Sequence, residues 1–428
     1  MTAHPPPYRR VVVTGLGAIT SLGPTAETTW AALLAGQCGI RRADNLDPAQ
    51  NPSMVRGDVP DAYVPSRLLE GKVARNTSRF SRMLVEATGD ALRDAALVDD
   101  AFAPLADLAP AGVVVGTCGG GTHDDFLPAF ETFQTRGASR TPPHLHVMFP
   151  HNLGAYTVHW RFGMGGPSLT LTTACATGAQ AIGEAFIRVR SGEAPVMVAG
   201  SVESTQHPFF IAGFSAMRAL VTDSNDHPER ASRPFDQTRA GFALGEGTAV
   251  LILEDLEHAR ARGARVYAEI LGFASSNDAY HPIAPHPEGV GAARAITAAL
   301  ADAAVEPDQI DHVNAHAAST PAGDLAESLA IRKALGERGT TIPVTSIKGA
   351  IGHAMGASGA IETMAAVCTV HEQRIPPTLN YRHPDPEIPL DVVHGTPREA
   401  TIGIMTKHSF GLGGQNACLV IGRAPGSD

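Results

Sequence analysis

Cysteine is scarce in this sequence, and no two cysteines form a Cys-x-x-Cys pair. That pattern is neither a disulfide framework nor the spacing of a zinc site, and it is typical of a protein kept in the reducing cytoplasm. Basic residues are also in short supply: 33 Lys and Arg stand against 43 Asp and Glu, which leaves a net charge of −10. Proteins that bind nucleic acid need a basic surface, so this balance argues against that class. The cysteines, odd in number, are Cys38, Cys118, Cys175, Cys368 and Cys418.

Long apolar runs are missing as well. No segment approaches the roughly 20 apolar residues that a membrane-spanning helix needs, so no membrane partner is expected. The first ten residues, Met1 to Arg10, lack the apolar core of a signal peptide. We therefore expect a cytoplasmic protein. With 43% hydrophobic residues in 428, the chain can bury a large core, as two domains or as one domain of two similar halves.

Cys175 lies where a strand pattern meets a helix pattern. The segment from Ser168 to Thr173 is β-branched and apolar, which predicts a strand. Apolar residues then recur at helical spacing as far as Phe186, so a helix is expected to begin near Ala176. The free N–H groups and dipole of a helix N-terminus favour a thiolate. A buried cysteine that packs as a small hydrophobe is the commoner case, so position alone leaves both interpretations open.

The N-terminal third contains three segments with distinct expectations. Val11 to Thr20 is predicted to be a strand that runs into a glycine turn, followed by a helix from about Thr25 to Ala35. The turn resembles a dinucleotide-binding loop, but Thr20 stands in place of its third glycine, so NAD binding is not expected. Residues 122–149 are expected to form an irregular covering element or partner-facing surface. No metal site is expected from the histidines there, His144, His146 and His151.

Beyond Gly263 the alternation of strands and helices starts again. Strands are predicted at 266–271, 310–314, 343–346, 402–405 and 417–421, and helices at 289–303 and 324–335. Two strand–turn–helix segments, 173–182 and 345–354, echo each other, which indicates an internal duplication. Strands that alternate with helices predict right-handed crossovers and a mainly parallel α/β sheet.

Reactive side chains stand at the ends of predicted strands and at glycine turns. They are Cys175, His316, Lys348 and His353, with Glu362 farther along the helix that follows Lys348. Because loops beyond the strand ends of an open parallel sheet meet at one rim, we expect these residues to converge. Each histidine taken singly is more often structural. A cysteine and two histidines together indicate covalent acyl chemistry.

Four ordered segments resemble the signature motifs of a known family, the β-ketoacyl-acyl carrier protein synthases. They are Thr-Ala-Cys-Ala-Thr-Gly at 173–178, Asn-Ala-His-Ala-Ala-Ser-Thr-Pro-Ala-Gly-Asp at 314–324, Ser-Ile-Lys-Gly-Ala-Ile-Gly-His-Ala-Met-Gly-Ala-Ser-Gly at 346–359 and Ser-Phe-Gly-Leu-Gly-Gly-Gln-Asn at 409–416. The chain is most similar to the KAS II type of condensing enzyme, in the thiolase superfamily. The resemblance covers nearly the whole chain, including segments 233–236, 241–246 and 375–380.

This resemblance implies a five-layered αβαβα thiolase-like fold made of two duplicated halves, and usually a dimer. The half at 1–258 would carry the nucleophile, and the half at 259–428 the loops with the two histidines and the lysine. Cys175 would take an acyl chain from acyl carrier protein as a thioester. His316 and His353 would hydrogen-bond the thioester carbonyl of malonyl-carrier protein and promote its decarboxylation. The resulting carbanion would attack the acyl-cysteine and lengthen the chain by two carbons.

The remaining implied roles concern order, specificity and docking. Lys348, paired with Glu362, would order the site, and no cofactor is implied beyond the phosphopantetheine of the carrier. The backbone N–H groups of Cys175 and Leu412 would form an oxyanion hole, and Phe410 and Leu412 a gate to the acyl pocket. Ser319 and Thr320 would contact phosphopantetheine. Lys72 and Arg75, in the basic segment 72–82, would dock the carrier protein.

The sequence departs from the family pattern at four positions. Ala317 replaces the glycine after the first catalytic histidine, and Ala318 removes a hydroxyl expected to contact phosphopantetheine. His408 stands where an asparagine is usual, and Leu412 replaces the second phenylalanine of Gly-Phe-Gly-Gly. Because that phenylalanine acts as a gate, Leu412 predicts an unusual acyl chain or a looser gate.

Four functions therefore compete. The chain could serve fatty-acid elongation as a homodimer, or be the active subunit of a heterodimer with a chain-length-factor-like partner that makes a polyene-like polyketide. The departures at 318, 408 and 412 favour the specialised role. A degradative thiolase would need a second cysteine near Leu412, and that loop has none. A non-catalytic scaffold is disfavoured because the four reactive residues are all present: Cys175, His316, Lys348 and His353.

Overall fold

A computed structural model describes residues 8–426, so the prediction made for Met1 to Pro7 lies outside the described residues. The strands are β1 (Val11–Thr20), β2 (Arg41–Arg42), β3 (Val55–Gly57), β4 (Gly112–Gly116), β5 (Ser168–Leu171), β6 (Val196–Glu203), β7 (Leu244–Gly245), β8 (Gly247–Asp255), β9 (Ala268–Asn277), β10 (His312–Asn314), β11 (Pro343–Thr345), β12 (Arg374–Ile375), β13 (Asp391–Val392), β14 (Arg398–Glu399), β15 (Ile404–Gly411) and β16 (Gln415–Arg423).

The α-helices follow the same chain order. They are α1 (Ala26–Leu34), α2 (Gly71–Arg75), α3 (Arg79–Asp94), α4 (Leu127–Arg136), α5 (Leu153–Phe162), α6 (Thr177–Ser191), α7 (Pro208–Ala216), α8 (Leu256–Ala261), α9 (Val290–Ala303), α10 (Pro321–Leu335), α11 (Lys348–Ile351) and α12 (Ser358–Glu372).

The main sheet consists of two halves with the same strand order. In the first half the strands run β5-β4-β6-β8-β1, and in the second β11-β10-β15-β16-β9, with β13 beside β11. The direction of each pairing also repeats: the first two pairs in each half are parallel and the next two are antiparallel. Antiparallel contacts between β1 and β9 join the halves into one eleven-stranded sheet. The predicted duplication is therefore present in the topology.

The helices complete five layers. Helices α6 and α12 pack on each other and against strands of both half-sheets, and their buried side chains, such as Ile182 and Ile361, form the central core. Helices α3 and α5 cover the outer face of the first half-sheet. Helices α9 and α10 cover the outer face of the second. This arrangement confirms the predicted αβαβα fold.

The prediction of a mainly parallel sheet was wrong. Half of the pairings within the two half-sheets are antiparallel, and the β1–β9 junction is antiparallel too. The reason lies in connections that lack a crossover helix. Strands β15 and β16 form a hairpin joined by a turn at Leu412–Gly414, and two-stranded hairpins are antiparallel. The segment 407–416, expected to be a loop, is therefore mostly strand.

The glycines near the N-terminus lie within β1 rather than in a turn. A Cβ on Gly17 would lie 2.0 Å from the carbonyl oxygen of Ala87, and one on Gly15 would lie 2.2 Å from that of Ala91. Both carbonyls belong to α3, which crosses the strand at this point. These glycines allow a helix to approach the strand closely, a common use of the residue. The predicted glycine turn was wrong.

The segment 122–149 is largely helical, which corrects the expectation of irregular structure. A π-helical turn at Thr122–Phe126 leads into α4, and two short 3₁₀ turns follow. Only Ala129 of α4 is buried. The exposed aromatic rings of Phe130 and Phe133 explain why hydrophobic periodicity failed here, because this helix has no continuous buried face.

Gly178 in α6 sets the closest approach of the two central helices. An added Cβ would lie 2.4 Å from the backbone nitrogen of Ala360 in α12. We expect Gly178→Ala to lower the free energy of unfolding by about 2–3 kcal/mol, measured by urea denaturation, because the clash is with backbone. The control is Gly213→Ala in α7, where an added Cβ meets nothing within 4 Å. It should leave stability unchanged or raise it by up to about 1 kcal/mol. Equal losses in both variants would contradict the close crossing.

None of the helices found in residues 8–426 is both long and apolar enough to span a bilayer.

Candidate active site

Cys175 lies in a strained turn between β5 and α6. Ala174, immediately before it, has a positive φ of 50°, a conformation that is costly for a residue with a Cβ. The hydroxyl of Thr177 holds the turn by donating to the carbonyl of Ala174 at 2.7 Å and accepting the N–H of Thr173 at 2.8 Å. The turn places Cys175 beside the His353 loop of the second half. The predicted strand–turn–helix was right.

His353 contacts the cysteine directly. Its Nε2 lies 3.0 Å from Cys175 Sγ, and its Nδ1 lies 2.9 Å from the hydroxyl of Ser358. Its backbone is fixed too, because its N–H donates to the carbonyl of Ala243 at 2.8 Å and its carbonyl accepts from Gly245 at 2.9 Å. Cys175 and His353 are 5% and 3% exposed, so this hydrogen-bonded pair is almost closed to solvent.

Cys175 does not show the lowered pKa that a helix N-terminus favours. Burial raises the pKa of Cys175 to about 11, although the charge of Lys348 and the N–H of Leu412 oppose that shift. The sulfur belongs to an apolar cluster with Phe210, Phe242 and others. Desolvation outweighs the effect of the helix terminus here and favours the neutral thiol.

His316 stands at the end of β10, where the chain leaves the sheet. The side chain of Glu327 holds this loop by accepting the N–H groups of His316 at 2.8 Å and Ala317 at 2.6 Å. The His316 ring lies edge-on to that of His353, with centroids 5.4 Å apart and planes at 82°. Unlike His353, His316 is partly exposed. The two histidines therefore line one wall beside the cysteine.

Lys348 determines which nitrogen of His316 carries the proton. Its Nζ lies 3.5 Å from His316 Nδ1 and also donates to the His316 carbonyl and to Glu362. A lysine ammonium has donors only, so Nδ1 must present its lone pair. The proton of a neutral His316 is then on Nε2. Lys348 thus prepares His316 to donate a hydrogen bond from Nε2.

Both histidines are neutral near pH 7. Burial lowers the pKa of His316 and of His353 well below the ordinary value, and the positive charge of Lys348 lowers both further. A neutral imidazole has one donor and one acceptor nitrogen. His353, whose Ser358 partner can donate or accept, is free to accept the proton of the Cys175 thiol.

The hairpin of β15 and β16 closes the site from the other side. At its tip, the backbone N–H of Leu412 donates to the sulfur of Cys175. The ring of Phe410 lies against His316, with centroids 5.9 Å apart. The side chains of Phe410 and Leu412 are partly buried. The hairpin backbone approaches the Cys175 backbone most closely at Gly411, where an added Cβ would lie 2.8 Å from the Cys175 nitrogen.

The other predicted residues lie outside this cluster. Ser319 is fully buried with a φ of 69°, and its hydroxyl accepts the N–H of Arg233 at 3.0 Å, an arrangement that does not favour contact with an entering ligand. Thr320, at the start of α10, is partly exposed. Lys72 and Arg75 are exposed on α2, which ends before α3 begins at Arg79.

Four buried residues that support the site were not predicted from the sequence: Glu203, Glu327, Ser358 and Lys407. Glu203 accepts backbone N–H groups of Cys118 at 2.9 Å and Gly119 at 2.8 Å, and of Gly356 at 3.2 Å in the His353 loop. Lys407 contacts Glu362, with Nζ 2.7 Å from Oε2. An acidic residue at the end of the buried strand pattern 196–202 was the available signal for Glu203. Within residues 8–426, no group of three or more His, Cys, Asp or Glu side chains is arranged to hold a metal ion.

The chain matches the models of one protein family and is similar to known proteins of that family. Residues 8–259 match the family model of the beta-ketoacyl synthase N-terminal domain, and residues 267–382 match that of the C-terminal domain. The 3-oxoacyl-(acyl-carrier-protein) synthase 2 of Synechocystis sp. is 41% identical over 415 residues, covering 96% of this chain and 97% of that protein.

Solved structures show the same fold. A chain of the ishigamide ketosynthase/chain length factor is 35% identical with a TM-score of 0.88, covering 97% of this chain and 100% of that one. A chain of AntDE:AntF, a type II PKS acyl-carrier protein in complex with its ketosynthase bound to the hexaketide, is 30% identical with a TM-score of 0.87. It covers 97% of this chain and 100% of that one.

Proposed function

Because this chain belongs to the β-ketoacyl synthase family, we propose that it catalyses a decarboxylative condensation between two substrates carried on acyl carrier protein. One substrate is an acyl chain and the other a malonyl group, and the product is a β-ketoacyl chain. The observation that carries this proposal is the single cluster formed by the Cys175–His353 pair and the Nε2 donor of His316. The family supplies the condensing activity, and the geometry supports a role for each residue.

The first step transfers the acyl chain to Cys175. His353 Nε2 accepts the thiol proton as the sulfur attacks the carbonyl carbon of the acyl thioester. The bond between that carbon and the carrier's sulfur breaks, and the carrier's thiolate leaves. It takes the proton from His353 and becomes a thiol. The backbone N–H groups of Cys175 and Leu412 stabilise the negative oxygen that develops during the attack, as donors of an oxyanion hole.

The second step removes CO₂ from the malonyl group. Neutral His316 donates a hydrogen bond from Nε2 to the malonyl thioester carbonyl. Neutral His353 does the same once its proton has moved from Nδ1 to Nε2, with the Ser358 hydroxyl changing from acceptor to donor at Nδ1. The bond to the carboxylate then breaks, CO₂ leaves, and its electron pair stays on the substrate as an enolate. Donors aimed at such a developing charge are worth about 10²–10³ in rate. No strong base is needed, because decarboxylation itself generates the carbanion.

The third step joins the two substrates. The enolate carbon attacks the carbonyl of the acyl-Cys175 thioester, and the tetrahedral intermediate expels the Cys175 thiolate. That thiolate takes one proton from solvent, which balances the carboxylate charge lost with the substrate. The cycle uses only the phosphopantetheine of the carrier and no other cofactor.

Several further assignments belong to the same proposal. Thr320, partly exposed near the first histidine loop, contacts phosphopantetheine, a role for which Ser319 is less suited. The exposed Lys72 and Arg75 dock the acidic carrier through charge attraction. The two halves divide at residues 258 and 259, and the protein works in the cytoplasm.

The proposal is tested by supplying acyl-carrier and malonyl-carrier proteins together and weighing the products. A β-ketoacyl-carrier two carbons longer, formed with release of one CO₂, is the expected result. Release of CO₂ without a longer chain over a range of acyl lengths would contradict a condensing function.

The second candidate function is the active subunit of a heterodimer that makes a specialised polyketide. Leu412 at the gate, where the family pattern has phenylalanine, favours it. The mass of the purified protein, alone and co-expressed with neighbouring gene products, separates the two roles. A stable homodimer that condenses acyl chains without a partner would eliminate the heterodimer.

Leu412→Phe tests whether this side chain sets the acyl preference. A larger, aromatic gate at the hairpin tip should narrow the range of chain lengths and degrees of unsaturation that acylate Cys175. The measurement is the relative rate of acylation across a series of acyl-carriers, with Leu105→Phe as the control at an exposed leucine. Unchanged preference in Leu412→Phe would show that the gate lies elsewhere.

A further inference from the structure

Lys407 is a fully buried cation that the proposed reaction does not use. It lies on β15, its side chain is 0% exposed, and its Nζ lies 2.7 Å from Glu362 Oε2. The same Nζ donates to the carbonyl of His408 at 2.6 Å and to the hydroxyl of Ser409. Glu362 therefore lies between two lysines, with Lys348 on its other oxygen.

The register of the sheet brings Lys407 under the catalytic loops. Lys407 pairs with Asn314 of β10, two residues before His316. A strand lysine with no route to solvent must be balanced by charges within the protein, because desolvation of a lone ammonium is costly. Burial lowers the pKa of Lys407, and the charge of Glu362 opposes that shift. The carboxylate thus holds Lys407 in its charged form.

The buried carboxylates that face Lys407 are matched in number by lysines only when Lys407 is included. Glu203 on β6 is a further buried carboxylate, and its charge acts on Cys175. The charged and titratable groups that face Lys407 are Glu362 on α12, Lys348 on α11, Glu327 on α10, His408 on its own strand, Cys418 on β16, and the rings of His316 and His353. Two lysines balance two carboxylates there. The ring of His408 lies beside them, with its Nδ1 3.2 Å from Glu327.

We propose that Lys407 is a positioning residue that keeps the Cys175–His353 pair uncharged by balancing the buried carboxylates. Without Lys407 the groups around it would carry a net negative charge, and a histidine would take up a proton more readily. A protonated His353 cannot accept the Cys175 proton, so acylation would slow at acidic pH. This inference rests on the proposed role of Cys175 as nucleophile.

Alkylation of Cys175 tests the inference without any carrier protein. The rate of its reaction with iodoacetamide is followed by peptide mass spectrometry from pH 4 to 11 in the wild type and in Lys407→Met and Lys407→Gln. This range reaches the raised pKa of the Cys175 thiol, about 11, and extends below the ordinary pKa of histidine. The acid limb of the profile is the fall in rate toward low pH, which protonation of the Cys175–His353 pair produces. Loss of the positive charge makes that protonation easier, so the limb should move up by about one pH unit, roughly a tenfold loss at its acid end.

Two variants provide the controls. Lys407→Arg keeps the charge and should keep the position of the limb, even if the rate falls. Lys333→Met removes an exposed lysine, 46% exposed beside Glu288, and should change neither limb nor rate. A purely structural role for Lys407 would lower the thermal stability and the rate at every pH but leave the limb in place.

If Lys407→Met or Lys407→Gln folds and its acid limb lies at the same pH as that of the wild type, the inference is overturned. Should neither neutral variant fold, Glu362→Gln decides, because removal of the negative charge must move the limb to lower pH. An unmoved or raised limb in Glu362→Gln would overturn it equally. A wild type that accepts no acyl chain from any carrier, while the limb still moves, would instead refute the proposed function alone.

Discussion

Cys175→Ala is expected to lower the condensation rate by at least about 10⁴-fold, because Cys175 supplies the thiol whose sulfur lies 3.0 Å from His353 Nε2. The same variant should still release CO₂ from malonyl-carrier. Decarboxylation requires the Nε2 donors of His316 and His353, and neither histidine depends on the sulfur for its position. The measurement is product mass for condensation and ¹⁴CO₂ release for decarboxylation.

The matched control for this variant is Cys368→Ala. Cys368 is also buried, on α12, where its sulfur contacts Met364 rather than the site. It should keep both half-reactions. If Cys175→Ala lost decarboxylation as well as condensation, the thiol would be needed for both half-reactions. That result would contradict the proposed mechanism, in which only condensation needs the thiol.

His316→Ala is expected to impair decarboxylation while leaving acylation of Cys175 intact. Removal of the Nε2 donor should slow decarboxylation of malonyl-carrier by about 10²–10³-fold. Acylation of Cys175 should persist, because the thiol proton goes to His353 and not to His316. Intact-protein mass spectrometry follows acylation, and CO₂ release follows decarboxylation.

His227→Ala serves as the control for a histidine substitution, since the His227 side chain is 66% exposed on the surface. It should leave both rates unchanged. If His316→Ala slowed acylation as much as decarboxylation, the roles of the two histidines would not be distinct.

The sequence was sufficient to predict which residues converge. Cys175, His316 and Lys348 each follow a predicted strand, and loops at the ends of such strands meet at one rim. The α/β class followed from the alternation of strands and helices, the duplication from two similar strand–turn–helix segments, and the five-layered fold from the family resemblance. In each case the information is local, because the strand, its end and the reactive residue are adjacent in the chain.

The protonation state of Cys175 could not be predicted in this way. Its pKa is raised by burial among side chains that come from distant parts of the chain, such as Phe210, Phe242 and Met355. A helix N-terminus, which is visible in the sequence, favours the thiolate. The surrounding apolar cluster, which is visible only in the folded protein, favours the thiol and has the larger effect.

Lys407 and the β1 glycines were missed for a related reason. A lysine in a strand pattern is usually exposed, and only the pairing of β10 with β15 shows that Lys407 lies beneath the His316 loop. Likewise, Gly15 and Gly17 allow contact with α3, which is about 70 residues later in the chain. Both features depend on tertiary packing rather than on sequence spacing.

The central claim is that Cys175 carries the acyl chain, and intact-protein mass spectrometry tests it directly. Wild-type protein is mixed with acyl-carriers of varied length and unsaturation, without malonyl-carrier, and weighed. The proposed mechanism predicts one acyl group per chain, mapped by peptide analysis to Cys175 and absent in Cys175→Ala. No adduct with any acyl chain, or an adduct that persists in Cys175→Ala, would contradict it.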